Sequence, residues 1–327
     1  MTNQTSRTDR RTAPSNTSQD CASSDQIRER TGCLIQQPTS APDVTNTESI
    51  LRVSRFRLSQ LQSNLAVRDM ELLILLRDHR FLTSRHVTTL IHTNAATILA
   101  GFRAAQRQLR KLCEWRLVNH LPRRIGGWQS GQAQTVWYLT EVGHRLLALQ
   151  ITGGDTAQTE SSLRHRFREP SQQFLAHILR IADIRVVLEQ VSRTSDSKRA
   201  TLVQTEPTCW RDWTGAYGVS RTLKPDLYTE LTDQEYDYFY FIEADMGTEH
   251  TPVIVRKAAV YQAYKNSGYE QAQHGGIFPL VLWVTPDQRR ADAILATIRA
   301  DPTLETHLHQ TVSISDLSRY ICGRDPP

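Results

Sequence analysis

Apolar positions along the chain change period between its two halves, and that change divides it. From Leu65 they recur at helical spacing: Met70, Leu73, Ile74 and Leu76 form one stripe. Phe81-Leu82-Thr83 then ends this helix, and Thr83 offers an N-cap for a second through Val87, Leu90 and Ile91. After a polar turn at Thr93-Asn94, a third helix sets Ile98, Phe102, Ala105, Leu109 and Leu112 four and three residues apart, which predicts one buried face. Leu117 to Arg123 and Thr135 to Leu139 read as two strands around a glycine-rich tip, Arg124 to Gly131. Tyr138-Leu-Thr-Glu-Val-Gly143 leads into a helix capped by Thr140 and packed through Leu146 and Leu147. Three helices on short turns, followed by such a hairpin, predict a winged helix-turn-helix domain over residues 63–150.

Residues 151–169 are polar and read as a linker. Pro170 opens a long helix through Phe174, Ile178, Ile181, Ile184, Val187, Leu188 and Val191. His177, beside that apolar face, reads as a core-edge histidine rather than a ligand. Beyond Ala200 the pattern is that of strands: Thr201 to Glu206, Asp226 to Leu231 and, past the turn Thr232 to Glu235, Tyr236 to Ile242. The last is aromatic or apolar almost throughout, which predicts cover on both faces. A helix over 251–266, a buried strand over 277–284, a helix over 287–299 and a short strand and helix complete the chain. A hairpin followed by a crossover to a buried strand predicts a mixed sheet with helices on its faces. The fold class is therefore α+β, a winged helix-turn-helix followed by an α/β domain over 170–327.

Composition adds little until charge is placed along the chain. Residues 1–62 carry little periodic apolar content and are expected to be a disordered polar tail. The net charge of +5 is modest, but between positions 103 and 124 stand Arg103, Arg107, Arg110, Lys111, Arg116, Arg123 and Arg124, with Glu114 the only acid. Cations along a third helix and into a hairpin tip predict contact with the phosphates of double-stranded DNA, with Trp128 at the tip to stack or wedge. A merely solvated helix face is the alternative. The five cysteines include no CxxC pair, which argues against a zinc knuckle or a disulfide scaffold. No apolar run is long enough to span a bilayer and the N-terminus has no apolar signal core, so the expectation is a cytoplasmic protein without a membrane partner.

Candidate chemistry concentrates between Lys224 and Tyr264. Pro225-Asp226 opens one strand and Glu243-Ala-Asp245 closes the next, so carboxylates from adjacent strands can meet at one point. Hard oxygen ligands of this kind suit magnesium. Lys257 shares a helical stripe with Val253, Val260 and Tyr264. An ammonium group there needs a carboxylate partner or must snorkel to solvent. Glu206 and Glu189 default to the surface, while Glu249 and His250 stand next to the site or cap the helix.

This arrangement resembles the PD-(D/E)XK nuclease core, a restriction-endonuclease-like fold. The resemblance implies that Asp226 and Glu243 ligate magnesium and that a lysine follows two residues after the glutamate. Asp245 occupies that position here. Two readings stand open: the lysine's role has moved to Lys257, giving a catalytic set of Asp226, Glu243, Asp245 and Lys257, or the site has lost its chemistry. With the winged helix and the long linking helix, the segment Glu243-Ala-Asp-Met-Gly-Thr-Glu249, together with Arg256-Lys257 and Tyr261, is similar to the replication-relaxation family over roughly residues 65 to 300. Met246 stands where that resemblance leads one to expect arginine. The resemblance implies work on plasmid or mobile-element DNA in replication or relaxation for mobilisation, as a magnesium-dependent nicking endonuclease. The alternative is a non-catalytic origin-binding accessory protein or repressor. A relaxase or replication initiator, and a homodimer on paired half-sites, are the expected protein partners.

Overall fold

The computed structural model describes residues 53–122, 134–152, 169–194, 198–215 and 218–323. The first 52 residues of the expected tail, the hairpin tip and most of the expected linker lie outside them.

Helical structure begins before Leu65. Helix α1 (Arg55–Ser63) starts at Ser54, whose hydroxyl accepts a hydrogen bond from the Arg57 amide, and it buries Leu58 and Leu61. This corrects the tail assignment for residues 55–62. Two leucines three apart do not establish a period among arginines and glutamines, yet they suffice to seat one helical face.

Helix α2 (Val67–His79), strand β1 (Phe81–Thr83), helices α3 (Ser84–Ile91) and α4 (Ile98–Glu114), strands β2 (Val118–His120) and β3 (Val136–Leu139) and helix α5 (Glu141–Thr152) follow. Phe81-Leu82-Thr83 is a strand rather than a helix end. It pairs antiparallel with β3 and completes a small sheet of order β1-β3-β2. Thr83 does cap α3, its hydroxyl accepting from the His86 amide at 3.2 Å. Ala105, Leu109 and Leu112 of α4 are buried as their spacing predicts, with Gly101 and Gln108 beside them. Ile98 is not: it stands 89 % exposed, because the helix begins before the rest of the fold reaches it.

Helix α6 (Gln172–Thr194) ties this half to a five-stranded sheet. Its strands are β4 (Arg199–Thr205), β7 (Leu227–Thr232), β8 (Asp237–Ala244), β9 (Leu280–Thr285) and β10 (His309–Ser313), while β5 (Arg211–Thr214) and β6 (Ser220–Leu223) form a separate hairpin. The order β10-β9-β8-β7-β4 has parallel pairs on one side of β8 and antiparallel pairs on the other, so the sheet is mixed. Helices α7 (Thr251–Ser267), α8 (Tyr269–Gln273), α9 (Gln288–Ala300) and α10 (Leu317–Ile321) complete the order.

Alternate residues of the strands serve two cores. Leu227, Ile242, Leu282 and Val284 meet Ile178, Ile181, Ile184 and Leu188 of α6. Tyr228, Phe241, Val281 and Trp283 meet Ile254, Ala258, Tyr261 and Tyr264 of α7 with Ile294 and Ile298 of α9. Cover on both faces is why β8 from Tyr238 to Ile242 and β9 from Leu280 to Val284 are aromatic or apolar throughout. Among the described residues no helix is long and apolar enough to cross a membrane.

Candidate functional site

The antiparallel pairing of β7 with β8 matches Leu227 to Ile242, which brings Asp226 and Glu243 to the same end of the sheet. The Asp226 amide bonds the Ile242 carbonyl at 3.1 Å, and the Ala244 amide donates to Asp226 Oδ2 at 2.7 Å. Both carboxylates are deeply set, Asp226 8 % and Glu243 3 % exposed.

Each has partners from a helix. His177 of α6 lies 3.1 Å from Asp226 Oδ1 through Nε2. On α7, Tyr261 donates its hydroxyl to Glu243 Oε1 at 2.6 Å, and Lys257 Nζ donates to Glu243 Oε2 at 2.9 Å. The same ammonium lies 2.8 Å from Glu249 Oε1. Lys257 thus has the carboxylate partner that an ammonium on an apolar stripe requires. Burial, and then repulsion from Asp226, push Glu243 up to about 7 although Lys257 and Tyr261 pull the other way. The hydrogen bond to Asp226 holds His177 above the ordinary imidazole value. Desolvation tends to lower Lys257, but Glu243 and Glu249 outweigh it and keep the ammonium charged.

Asp245 belongs to a different contact. Arg290 of α9 grips its two oxygens at 2.8 and 2.9 Å and also donates to the Glu249 carbonyl, while the Gly247 amide donates to Asp245 Oδ2. Asp226, Glu243 and Lys257 therefore converge, whereas Asp245 is held beside them by a bidentate guanidinium pair. Behind Asp226 lies a small cavity whose lining includes His79 and Glu206. Burial, and then Asp226, raise Glu206, and Arg80 Nη2 stands 3.8 Å from its carboxylate. His79 is pushed down to about 3 by burial and by Arg185 and His86, and its Nδ1 has no hydrogen-bond partner.

His177, Tyr261 and Arg290 are the side chains whose contacts sequence reasoning missed. His177 pairs across 49 residues and Arg290 across 45, so no local spacing announces either contact. An apolar stripe running past His177 was the misleading signal.

Among the described residues no group of three or more His, Cys, Asp or Glu is arranged to hold a metal ion. Magnesium, however, is commonly held by one or two carboxylates with waters and substrate oxygens completing its shell. Each oxygen of Asp226 and Glu243 accepts one protein hydrogen bond and keeps a second lone pair. The donor chemistry fits that ion.

On α4, Arg103, Arg107 and Arg110 are exposed and make no ion pair among the described residues. Lys111 turns inward to the buried Asp69 at 2.6 Å and lies over the Trp115 ring, so its charge is matched within the fold. Burial alone would raise Asp69, but Lys111, the Ala66 amide and Gln108 hold it below the usual carboxylate range. Arg116 is exposed, with a positive φ of 58°. Arg123, Arg124 and Trp128 lie outside the described residues.

Fold and site together define an α+β protein with a carboxylate–ammonium cluster at the end of a mixed sheet. The chain belongs to the replication-relaxation family, whose model matches residues 73–281. No curated protein matches it. Among solved structures, it is similar at 10 % identity to the restriction endonuclease FokI bound to DNA, with a TM-score of 0.22 over 79 % of this chain and 45 % of that one. The chain thus spans less than half of that protein's length.

Proposed function

We propose that this protein docks on duplex DNA of a plasmid or other mobile element and nicks one strand during replication or mobilisation. Docking falls to residues 63–150 as a winged helix-turn-helix, with exposed Arg103, Arg107, Arg110 and Arg116 meeting phosphates and Arg123, Arg124 and Trp128 extending the contact. Nicking falls to residues 170–327 as a nuclease-like domain. The observation that carries this reading is the meeting of Asp226, Glu243 and Lys257, contributed by two strands and a helix, at one end of the sheet.

Asp226 and Glu243 would hold magnesium, which supplies Lewis-acid polarisation of a phosphate and an acidified water. Lys257 keeps its charge beside Glu243 and is one-third exposed, so its ammonium can also meet a phosphate oxygen. His177 and the Ala244 amide fix the two oxygens of Asp226, and Tyr261 fixes Glu243. Asp245, committed to Arg290, assists by anchoring the end of β8 to α9. Family membership supports a role in replication or relaxation. A relaxase or replication initiator is the expected partner, a homodimer would suit paired half-sites, and the protein would work in the cytoplasm.

The test is nicking of supercoiled plasmid with magnesium or manganese by wild type, Asp226→Ala and Glu243→Ala. Open-circular product made by wild type and lost in both variants is the expected result. Equal traces in all three would remove the nuclease. One observation favours that second outcome: both carboxylates are buried and every oxygen already has a protein donor. The domain would then be a non-catalytic scaffold, and the protein an origin-binding accessory or repressor that recruits a partner.

A further inference from the structure

The start of α4 leaves two aliphatic side chains in water. Ile98 is 89 % and Leu99 57 % exposed, and every residue from Thr93 to Ala100 is exposed with them. A single exposed aliphatic residue is ordinary, and Ile98 lies about 100° from Leu99, on the side of α4 that carries Ala105 and Leu109, but the surroundings of Leu99 are unusual. At about 100° per residue, Leu99, Arg103, Gln106 and Arg110 fall within about 60° of one another on α4. All four are exposed, while Gly101, Ala105, Gln108, Leu109 and Leu112 are buried on the opposite side. Arg107 flanks the stripe, and neither it nor the other two arginines has an acidic partner among the described residues. From Leu99 to Arg110 the stripe is about 16 Å long at 1.5 Å per residue, enough to cross a major groove about 12 Å wide.

One end of this face is apolar and the rest is cationic or amide. A protein partner that covered Leu99 would also have to neutralise three arginines. The DNA major groove offers both chemistries at once: thymine 5-methyl groups on its floor, base-edge acceptors beside them and phosphates along its walls. We propose that Leu99 packs against thymine 5-methyl groups in the major groove, while Gln106 hydrogen-bonds a neighbouring base edge and Arg103, Arg107 and Arg110 meet the phosphates. This rests on the DNA-docking half of the proposed function and is independent of the nuclease half.

The test uses the full-length chain and a duplex enriched from a random-sequence pool. Each thymine in turn is replaced by deoxyuridine, which removes only the methyl group, and binding is compared at one salt concentration. Wild type should lose roughly fourfold in affinity at one or two neighbouring positions, the worth of about one buried methyl each. The Leu99→Ala variant should be indifferent to those replacements, and an unchanged circular-dichroism melt would show it folded. Tight binding by wild type with no deoxyuridine effect anywhere overturns the thymine contact and leaves DNA docking standing. A deoxyuridine effect that persists in the variant assigns the methyl contact to other residues and likewise overturns it. Failure to enrich any duplex removes DNA docking and this contact together.

Discussion

At the scale of single residues, the site is decided by what surrounds its charges. Glu243 would be an isolated buried anion without Lys257 and Tyr261, and burial and Asp226 still lift it to about 7. His79 is the opposite case, a buried imidazole with no anion at its free nitrogen, held neutral and pushed down to about 3. Its effect on stability has a definite sign. The folded-state value lies below the unfolded value of about 6.5, so the unfolded chain takes up the proton first and stability falls as pH drops below 6.5 towards 3. Between pH 7 and pH 5 that costs about 2 kcal/mol. Urea unfolding at the two pH values should show His79→Gln losing about 2 kcal/mol less than wild type over the interval. His309, pushed down to about 4 by burial and by His307, supplies a similar acid sensitivity that both proteins keep. His177 acts in the other direction: Asp226 holds its value up, so its contribution is complete below the ordinary imidazole range and is lost as pH rises through the raised value. Equal acid losses in wild type and His79→Gln would mean that His79 is protonated, or reached by water, in the folded protein.

At the scale of elements, close approach explains a glycine that sequence could mark but not account for. Gly143 sits in the first turn of α5, where Thr140 accepts a hydrogen bond from its amide and donates to the Leu117 carbonyl. A Cβ there would lie 2.3 Å from the Leu117 carbonyl oxygen and 2.5 Å from Leu139 Cδ1. The backbone oxygen cannot rotate aside, so Gly143→Ala should force α5 away from the small sheet. A loss of about 1–3 kcal/mol is expected, as for other overpacked interiors, despite alanine's better helix propensity. A chemical-denaturation midpoint equal to or above that of wild type would contradict this packing.

What was legible followed the same division. Periodicity within an element sufficed for α4, for the helix α6 and for the apolar runs of β8 and β9. It failed where pairing comes from far away: β1 owes its three residues to β3, more than fifty positions later. The hairpin of β5 and β6 is too short to display alternation and reads as a loop. Period also gives the angle of Ile98 around its helix without saying whether anything stands opposite it. Asp226 and Glu243 were legible because strand ends carry them together. Their helix-borne partner His177 was not.

At the scale of the molecule, α6 is the member that both halves share. Ala182 is buried among Leu72, Leu76 and Leu109 of the helical half, while Ile178, Ile181 and Ile184 lie in the core of the large sheet. Phe81 and Val136 of the small sheet, and Leu121 just past β2, belong to that second core as well. Polar contacts cross at the same junction: His86 Nε2 to Asp183 at 2.9 Å, the Thr205 hydroxyl to the Asp78 carbonyl at 2.8 Å, and Arg193 to the Thr89 carbonyl at 2.7 Å. Unfolding either half alone would expose apolar faces of the other and strand these groups, so the two should unfold as one cooperative unit. Trp137 lies in the small sheet and Trp283 is fully buried in the large one, which provides a reporter for each. With 5-fluorotryptophan incorporated, the fluorine resonances of the two should lose native intensity at the same urea concentration. Separate midpoints would mean that the half expected to dock on DNA is an independent module. Coincident midpoints would mean that the half expected to dock on DNA and the carboxylate site share a single folded frame through α6.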